Sequence, residues 1–95
     1  MLVVLNRDTK QSSFNYIMNT IINFDNVESL FIERTDISDN SYKYEFAVIA
    51  KTDTLDYELY RGNHLSDAEY IYNKLLEYWS NNKRLVHLDK LLDRL

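Results

Sequence analysis

The chain contains one glycine, Gly62, and no proline among its 95 residues. Glycine takes positive φ angles most readily, and Asn and Asp are the other residues that tolerate them. Turns that need a positive φ must therefore be built from Asn or Asp in this chain. Phosphate-binding loops of the GxGxxG and GxxxxGK types need several glycines, so both are excluded.

The remaining composition excludes several kinds of chemistry. The chain has no cysteine, which excludes disulfides, thiolate nucleophiles and cysteine-ligated zinc. Its two histidines, His64 and His87, belong to no HxxxH or HExxH pattern, so we expect no metal site and no cofactor. The apolar run Leu2–Leu5 is shorter than the ~7–15-residue apolar region of a signal peptide, and no segment has the ~18 apolar residues of a membrane span. We expect a cytoplasmic protein with no membrane partner.

Period-two alternation of apolar and polar residues predicts an antiparallel sheet in the middle of the chain. We expect strands near 27–35, 42–51 and 55–61, joined by the turn clusters DISDNS and TDT. One face of the second strand would carry Tyr42, Tyr44, Phe46, Val48 and Ala50. On the third strand, the core residues would be Leu55, Tyr57 and Leu59. The solvent-facing residues of that strand would be Asp56, Glu58 and Tyr60.

A helix over 66–80 is the clearest single element. Ser66 and Glu69 have the spacing of a capping box, and Leu65 before them could pack against Tyr70 as a hydrophobic staple. The apolar residues that follow share one helical face, which should cover the sheet. They are Ala68, Ile71, Tyr72, Leu75, Leu76 and Trp79.

The two ends of the chain are less regular. Residues 1–6 predict a short strand. Segment 13–23 fits two interpretations, an amphipathic helix capped by Ser13 and an alternating strand. The helical stripe would consist of Phe14, Ile17, Met18, Ile21 and Ile22, and we favour the helix.

Residues 84–95 have the leucine spacing of a second amphipathic helix, carrying Leu85, Leu88, Leu91, Leu92 and Leu95. This helix, within residues 83–95, would pack either on a domain of residues 1–82 or on a partner. The candidate self-association residues, for a possible homodimer, are Leu85, Leu88, Leu92 and Leu95. The expected fold class is α+β, an antiparallel sheet of three to four strands covered by helices in the order β-(α)-β-β-β-α-α.

Acidic residues are concentrated in the middle of the chain. Residues 36–69 contain eight acids and three bases, a net charge of −5, and the whole chain has a net charge of −4. No basic patch of a nucleic-acid-binding protein is evident, so we expect no direct nucleic-acid binding. Exposed tyrosines beside acids are typical of protein interfaces. The candidate protein-binding residues are Asp53, Asp56, Glu58, Tyr60, Asp67, Glu69 and Tyr70.

Other functions compete with protein binding through this surface. Asp56 and Glu58 would lie about 6.8 Å apart on one strand face, at ~3.4 Å per residue, a spacing that an acid and a base could use. Such chemistry needs an enclosing cleft that shifts a pKa, and we therefore expect no enzymatic activity. The acids could also imitate DNA phosphates, and the 84–95 helix could make the protein a self-associating structural module.

Four segments follow one another along the chain, namely VVLNRD, IINFDNVESLFIE, YKYEFAVIAKTDTLDYELY and LSDAEYIYNKLLEYW. In this order they resemble a group of small proteins of phages and mobile elements in low-GC Gram-positive bacteria. The resemblance covers residues 1–80 and carries no catalytic residues. It implies a protein that binds a host or phage protein, such as an anti-CRISPR inhibitor. The mechanism that we expect from the tyrosine and carboxylate surface between Asp53 and Glu69 is occlusion of a basic surface of a nucleic-acid-handling target.

Overall fold

A computed structural model describes residues 1–6, 9–10, 16–17, 19–36 and 43–95, with the backbone alone for 9–10 and 16–17. These residues form two three-stranded sheets, a two-stranded ladder and two α-helices. The fold is therefore α+β, as predicted, and the order of strands and helices roughly follows the predicted one.

The N-terminal sheet is built around strand β1, Leu2–Leu5, which confirms the strand predicted for residues 1–6. The chain then forms β2 (Thr9–Lys10), β3 (Tyr16–Ile17) and β4 (Thr20–Asn23). β1 pairs antiparallel with β4, and β2 pairs antiparallel with β3. Asn19, immediately before β4, has a φ of 55°, so asparagine supplies a positive-φ position where this chain has no glycine.

The helix favoured for 13–23 is wrong wherever the structure describes that segment. Tyr16–Ile17 and Thr20–Asn23 are strands, so the alternating pattern was the correct interpretation. Ile22 is buried whereas Ile21 is 64% exposed, because successive residues of a strand point to opposite faces. The other residues of the predicted stripe and its cap lie outside the described residues or have no described side chain.

After a 3-10 turn at Phe24–Asn26, the chain forms the antiparallel meander that the alternation predicts. Its strands are β5 (Ser29–Asp36), β6 (Tyr44–Lys51) and β7 (Asp56–Gly62), arranged in the order β5-β6-β7. Tyr42, predicted to share the core face of β6, lies outside the described residues. The three predicted strands are otherwise present within one or two residues of their expected ends.

Thr52 shapes the turn between β6 and β7. Its hydroxyl donates to the Leu55 carbonyl at 2.8 Å and accepts from the Leu55 N–H at 3.0 Å. The Thr52 N–H bonds the same carbonyl at 2.9 Å. A threonine side chain thus closes this turn without glycine or proline. Leu55, predicted to be a core residue, belongs to the turn and is 39% exposed.

A β-bulge at Leu59 changes the predicted facing of β7. Val48 lies opposite Tyr60 and Ile49 lies opposite Glu58, so β7 has one extra residue between these pairs. Directly opposed residues share a face of the sheet. Tyr60 therefore lies on the face of Val48, which packs into the core, and the prediction that it shares the solvent face with Glu58 is wrong.

Helix α1 spans Leu65–Ser80 and covers the meander, which confirms the helix predicted for 66–80. The predicted capping box is wrong, because the N-cap residue is His64 and makes no side-chain capping bond. The helix begins one residue earlier than expected, so Ser66 lies inside its first turn. Leu65, the expected staple residue, is exposed. None of the described helices is long and apolar enough to cross a membrane.

α1 ends in a Schellman motif built on asparagine. Asn82 has a φ of 57°, and its N–H bonds the Trp79 carbonyl at 3.2 Å. The N–H of the next residue, Lys83, bonds the Tyr78 carbonyl at 3.0 Å. These two bonds define the motif, in which a left-handed residue, usually glycine, follows the C-cap. The described residues with positive φ are thus both asparagines, Asn19 and Asn82.

The segment after α1 returns to the N-terminal sheet. β8, Leu85–His87, pairs parallel with β1, and the strand order is β4-β1-β8. α2, Leu88–Leu92, packs against β1. The prediction of one helix over 84–95 is wrong, because three of its residues form a strand. Leu88 and Leu91 are buried in the core, so this segment packs on the same core as the rest of the chain.

One hydrophobic core joins the two sheets. Its buried residues include Val3, Leu5, Ile22 and Val86 from the N-terminal sheet, Val48, Ala50 and Leu59 from the meander, and Ala68, Ile71 and Leu75 from α1. Phe24, in the 3-10 turn, is fully buried and meets the Trp79 ring edge to face, with centroids 5.2 Å apart at 81°. This aromatic pair has a favoured geometry and connects the end of α1 to the junction between the sheets.

Candidate functional site

The structure divides the predicted acidic surface between the two sides of the meander. Asp53 lies in the β6–β7 turn and Asp56 begins β7, and both are exposed. Asp56 lies opposite Lys51, and Glu58 lies opposite Ile49. Since Ile49 does not belong to the core cluster under α1, Asp56 and Glu58 lie on the outer face of the meander, which points away from α1.

Arg61 forms ion pairs with the carboxylates of Glu58 and Glu45. Its Nε bonds Oε1 of Glu58 at 2.5 Å, and its Nη1 bonds Oε2 of Glu45 at 2.9 Å. The hydrogen bond that Arg61 donates to the Glu58 carboxylate is the main cause of the raised pKa of Arg61. Arg61 lies opposite Ala47, which is buried although it faces outward. Glu58 therefore belongs to an ion-pair network of the outer face.

Tyr60, Asp67 and Tyr70 lie on the helix side of the meander. Tyr60 and Tyr70 pack against the core. Burial raises the pKa of the Tyr60 phenol, and the negative charge and hydrogen bonding of the Asp67 carboxylate raise it further. A Cβ at Gly62 would lie 2.7 Å from Cζ of Tyr60, so glycine at this position makes room for the tyrosine ring.

The seven predicted binding residues therefore do not form one surface. Those that are exposed are Asp53, Asp56 and Glu69. The other four are half-buried, on the outer face in the case of Glu58 and on the helix side in the case of Tyr60, Asp67 and Tyr70. The bulge at Leu59 places Tyr60 on the helix side, and Asp67 and Tyr70 lie there because they belong to α1.

The four leucines predicted for self-association are separated as well. Leu88 is fully buried and Leu92 is half-buried, both in α2. Leu85 lies on β8 and Leu95 follows α2, and both are exposed. They share no helical stripe, because the helix that would have aligned them begins only at Leu88.

Sequence patterns missed an apolar surface on the N-terminal sheet. The residues Leu2, Val4, Ile21 and Leu85 lie on the side opposite the core, and we call them the apolar face. Leu2 is 42% exposed, Ile21 64% and Leu85 44%. The signal that could have revealed this face is the uninterrupted run LVVL, since a strand with one solvated side alternates apolar and polar residues.

A pocket of about 190 Å³ adjoins the apolar face along β8. Leu85 lines both. The basic side chains of the pocket are Lys83, His87, Lys90 and Arg94, and we call it the basic pocket. Among its described lining residues there is no Asp or Glu. Lys83 Nζ lies 4.2 Å from the centroid of the Tyr78 ring, a cation–π contact.

The two histidines have different surroundings. His64 occupies the N-cap position of α1 without a side-chain capping bond, and His87 lines the basic pocket. Within the described ranges, no three His, Cys, Asp or Glu side chains are grouped so that they could hold a metal ion. Neither histidine is therefore placed in a metal site by the described geometry.

Comparisons with known proteins identify no relative of this chain. No protein-family model, no curated protein and no solved structure matches it. Its function must accordingly be argued from the apolar face, the basic pocket and the exposed acids.

Proposed function

We propose that this chain is a non-enzymatic protein-binding module that contacts its partner through the apolar face. The observation that carries the proposal is the exposure of Leu2, Ile21 and Leu85 on three adjacent strands. Single exposed apolar side chains are ordinary at protein surfaces, whereas a contiguous apolar patch marks an interaction site.

The residues of the apolar face are direct neighbours. Leu2 is paired with Leu85, and Val4 is paired with Ile21. Side chains that oppose each other across strands have Cβ atoms about 4.5–5.5 Å apart and touch. The polar residues Asn23 and His87 occupy the remaining positions of the same face. An apolar centre beside polar residues is the usual anatomy of a protein interface.

The size of the apolar face favours a larger interface with a different protein. Three strands about 4.8 Å apart, with four residues of about 3.3 Å each, span roughly 14 Å by 13 Å. That footprint is on the order of 200 Å², whereas a stable interface needs about 800 Å² from each partner. We infer that the apolar face is the centre of a contact whose rim lies on surrounding charged groups, and that it does not hold two copies of this chain together unaided.

Crosslinking identifies the partner and tests the contact. A photo-crosslinking amino acid at Ile21 should capture one protein other than this chain, identified by mass spectrometry. With that protein purified, Ile21→Ser and Leu85→Ser should each weaken binding by about tenfold, because apolar anchors at an interface centre contribute most of the affinity.

Matched controls are exposed leucines elsewhere in the fold. Leu55 in the β6–β7 turn and Leu76 on α1 have exposures similar to that of Leu85, and Leu55→Ser and Leu76→Ser should leave the affinity unchanged. Equal binding by all four variants and the wild type would overturn the proposal, as would capture of a second copy of this chain alone.

The exposed acids favour a second candidate, an inhibitor from a phage or mobile element. It would occlude a basic surface of a nucleic-acid-handling host protein, in the manner of an anti-CRISPR protein. Asp53 and Asp56 are exposed, and exposed Glu28 lies at the same end of the meander, because its N–H bonds the Lys51 carbonyl at 2.8 Å. Such charges accelerate association and act less strongly in salt. A cytoplasmic location belongs to both candidates and can be checked by cell fractionation.

Association kinetics test this second candidate with the captured protein. Asp53→Asn combined with Asp56→Asn should slow association several-fold at low salt, since rim charges act mainly on the association rate. The control is Glu33→Gln combined with Glu77→Gln, which removes the same charge from two exposed residues outside the predicted acidic surface. Equal association rates for the two double variants would contradict the acidic-surface mechanism.

A further inference from the structure

The basic pocket opens beside the apolar face, so one ligand can contact both. Leu85 and His87 of β8 line the pocket and also face outward beside Leu2 and Val4. The remaining charged residues of the pocket come from the loop after α1 and from α2 and its C-terminal turn. A segment that covers the apolar face therefore passes the mouth of the pocket.

The charges of the pocket are of one sign. Lys83, Lys90 and Arg94 carry three positive charges, in a protein whose net charge is −4. Asp89 and Asp93, their neighbours in sequence, do not line the pocket. Asp89 accepts a hydrogen bond from the Asn6 N–H at 2.9 Å, on the side of β1.

Side chains of the same charge lie close together in this pocket. Lys90 and Arg94 are four residues apart, a spacing at which like charges repel each other on a helical segment. Lys83 is already held over the Tyr78 ring at 4.2 Å by the Schellman motif that follows α1. An anionic group in the pocket would relieve the repulsion, and less side-chain ordering would accompany its binding because Lys83 is prepositioned.

We propose that the partner's contact segment is an acidic, amphipathic peptide, whose apolar side chains cover the apolar face and whose carboxylates enter the basic pocket. This inference rests on the proposed protein-binding function, and it further specifies that the partner's contact segment is negatively charged. Nucleic acid fits the site less well, because its backbone requires an extended basic surface, whereas this pocket is small and borders leucines. The acidic remainder of the chain would also repel a long polyanion.

Short synthetic probes test the inference on the full chain. The first is a capped heptapeptide that alternates Glu and Leu, and the second replaces each Glu by Gln. The third is hexaglutamate, and the fourth is a short single-stranded oligothymidylate. Binding is followed by backbone amide chemical shifts and fluorescence anisotropy at neutral pH and constant ionic strength.

The expected result is that the Glu/Leu peptide binds about tenfold more tightly than the Gln/Leu peptide, and shifts the amides of β8 and α2. Lys90→Gln combined with Arg94→Gln should remove this difference. The control, Lys43→Gln combined with Lys51→Gln, makes the same change of charge at exposed residues elsewhere and should preserve it.

Four outcomes would overturn the inference: no binding of either acidic peptide, equal binding of the Glu/Leu and Gln/Leu peptides, equal effects of the two double variants, or tighter binding of the oligothymidylate through Lys90 and Arg94.

Failure of this inference can be distinguished from failure of the proposed protein-binding function. If Ile21→Ser abolishes binding of both Leu-containing peptides, and the Glu/Leu and Gln/Leu peptides bind with equal affinity, then the apolar face is a binding surface but the partner is not acidic. If hexaglutamate binds as tightly as the Glu/Leu peptide and Ile21→Ser has no effect, then the basic pocket binds acidic groups but the apolar face takes no part in binding.

Discussion

Asn82 occupies the left-handed position that ends α1, where most helices place glycine. Asparagine tolerates this conformation because its short amide bonds locally, whereas other L-residues lose about 1–2 kcal/mol there. We expect Asn82→Ala to lower the free energy of unfolding by about 1 kcal/mol, measured by urea unfolding with Trp79 fluorescence. Asn81→Ala is the control, because Asn81 has a φ of −90° and should lose less than about 0.5 kcal/mol. Equal losses would contradict the assignment of the cap to Asn82.

Ionisation of Tyr60 makes the free energy of unfolding depend on pH in the alkaline range. Burial first, and the Asp67 carboxylate second, raise the pKa of its phenol above the ordinary value of 10.0. In this range the unfolded chain binds fewer protons than the folded one, so stability is fully present below pH ~10 and falls as the pH rises through the folded pKa. We expect Tyr60→Phe to lose less stability than the wild type between pH ~9 and pH ~11, as measured by urea unfolding at each pH. Tyr57→Phe, on the same face, is the control, and parallel pH profiles for wild type and Tyr60→Phe would refute the prediction.

At the scale of elements, the division of residues 85–92 into β8 and α2 gives their leucines different burial. On a single helix these leucines would share one face. Leu88 is fully buried, and Leu85 is 44% exposed on the outer side of β8. Leu88→Ala should lower the free energy of unfolding by about 2–5 kcal/mol, the range for a buried leucine. Leu85→Ala should lower it by less than about 1 kcal/mol. Comparable losses would indicate a continuous helix, and thermal unfolding of both variants distinguishes the two cases.

The elements predicted from sequence are those whose pattern is local. The β5–β7 meander and α1 follow from alternation and from a helical stripe, each visible within one segment. β8 has three residues, and its leucines fit a helix equally well, so only its pairing with β1 identifies it as a strand. The bulge at Leu59 likewise leaves no local signal, and it moved Tyr60 to the helix side.

The candidate site was harder to predict than the fold for a related reason. The basic pocket collects Lys83, His87, Lys90 and Arg94 from a loop, a strand and the region of a short helix. In the sequence, Asp89 and Asp93 offset part of these charges, so the segment shows no basic patch. The pocket exists only once a loop, a strand and a helical turn come together in the fold, which composition cannot reveal. The excess of acids over residues 36–69 follows from the sequence, yet the structure places the described residues of the predicted binding surface on two sides of the meander.

The whole molecule depends on contact between distant parts of the chain. The Asn6 N–H bonds Asp89 across 83 positions, and Val86, Leu88 and Leu91 complete the core. We therefore expect deletion of residues 83–95 to abolish cooperative unfolding, because it removes β8 and exposes the inner side of β1. The readouts are near-UV circular dichroism and binding of a hydrophobic dye. Deletion of 93–95 alone should leave the transition cooperative, and a cooperative transition for 1–82 would show that these residues form a domain by themselves.

The pairing of β1 with β8 also imposes a delay during synthesis, because β8 is translated long after β1. Leu2 pairs with Leu85, and translation of the intervening chain at ~5–20 residues per second takes roughly 4–16 s. Until then β1 can pair with β4 but has no strand on its other edge, and Val3 and Leu5 lack the cover of α2. A nascent chain therefore carries an open, apolar strand edge for seconds, the kind of surface that ribosome-associated chaperones shield. Conditions that change translation speed should alter the yield of folded protein more than its final stability.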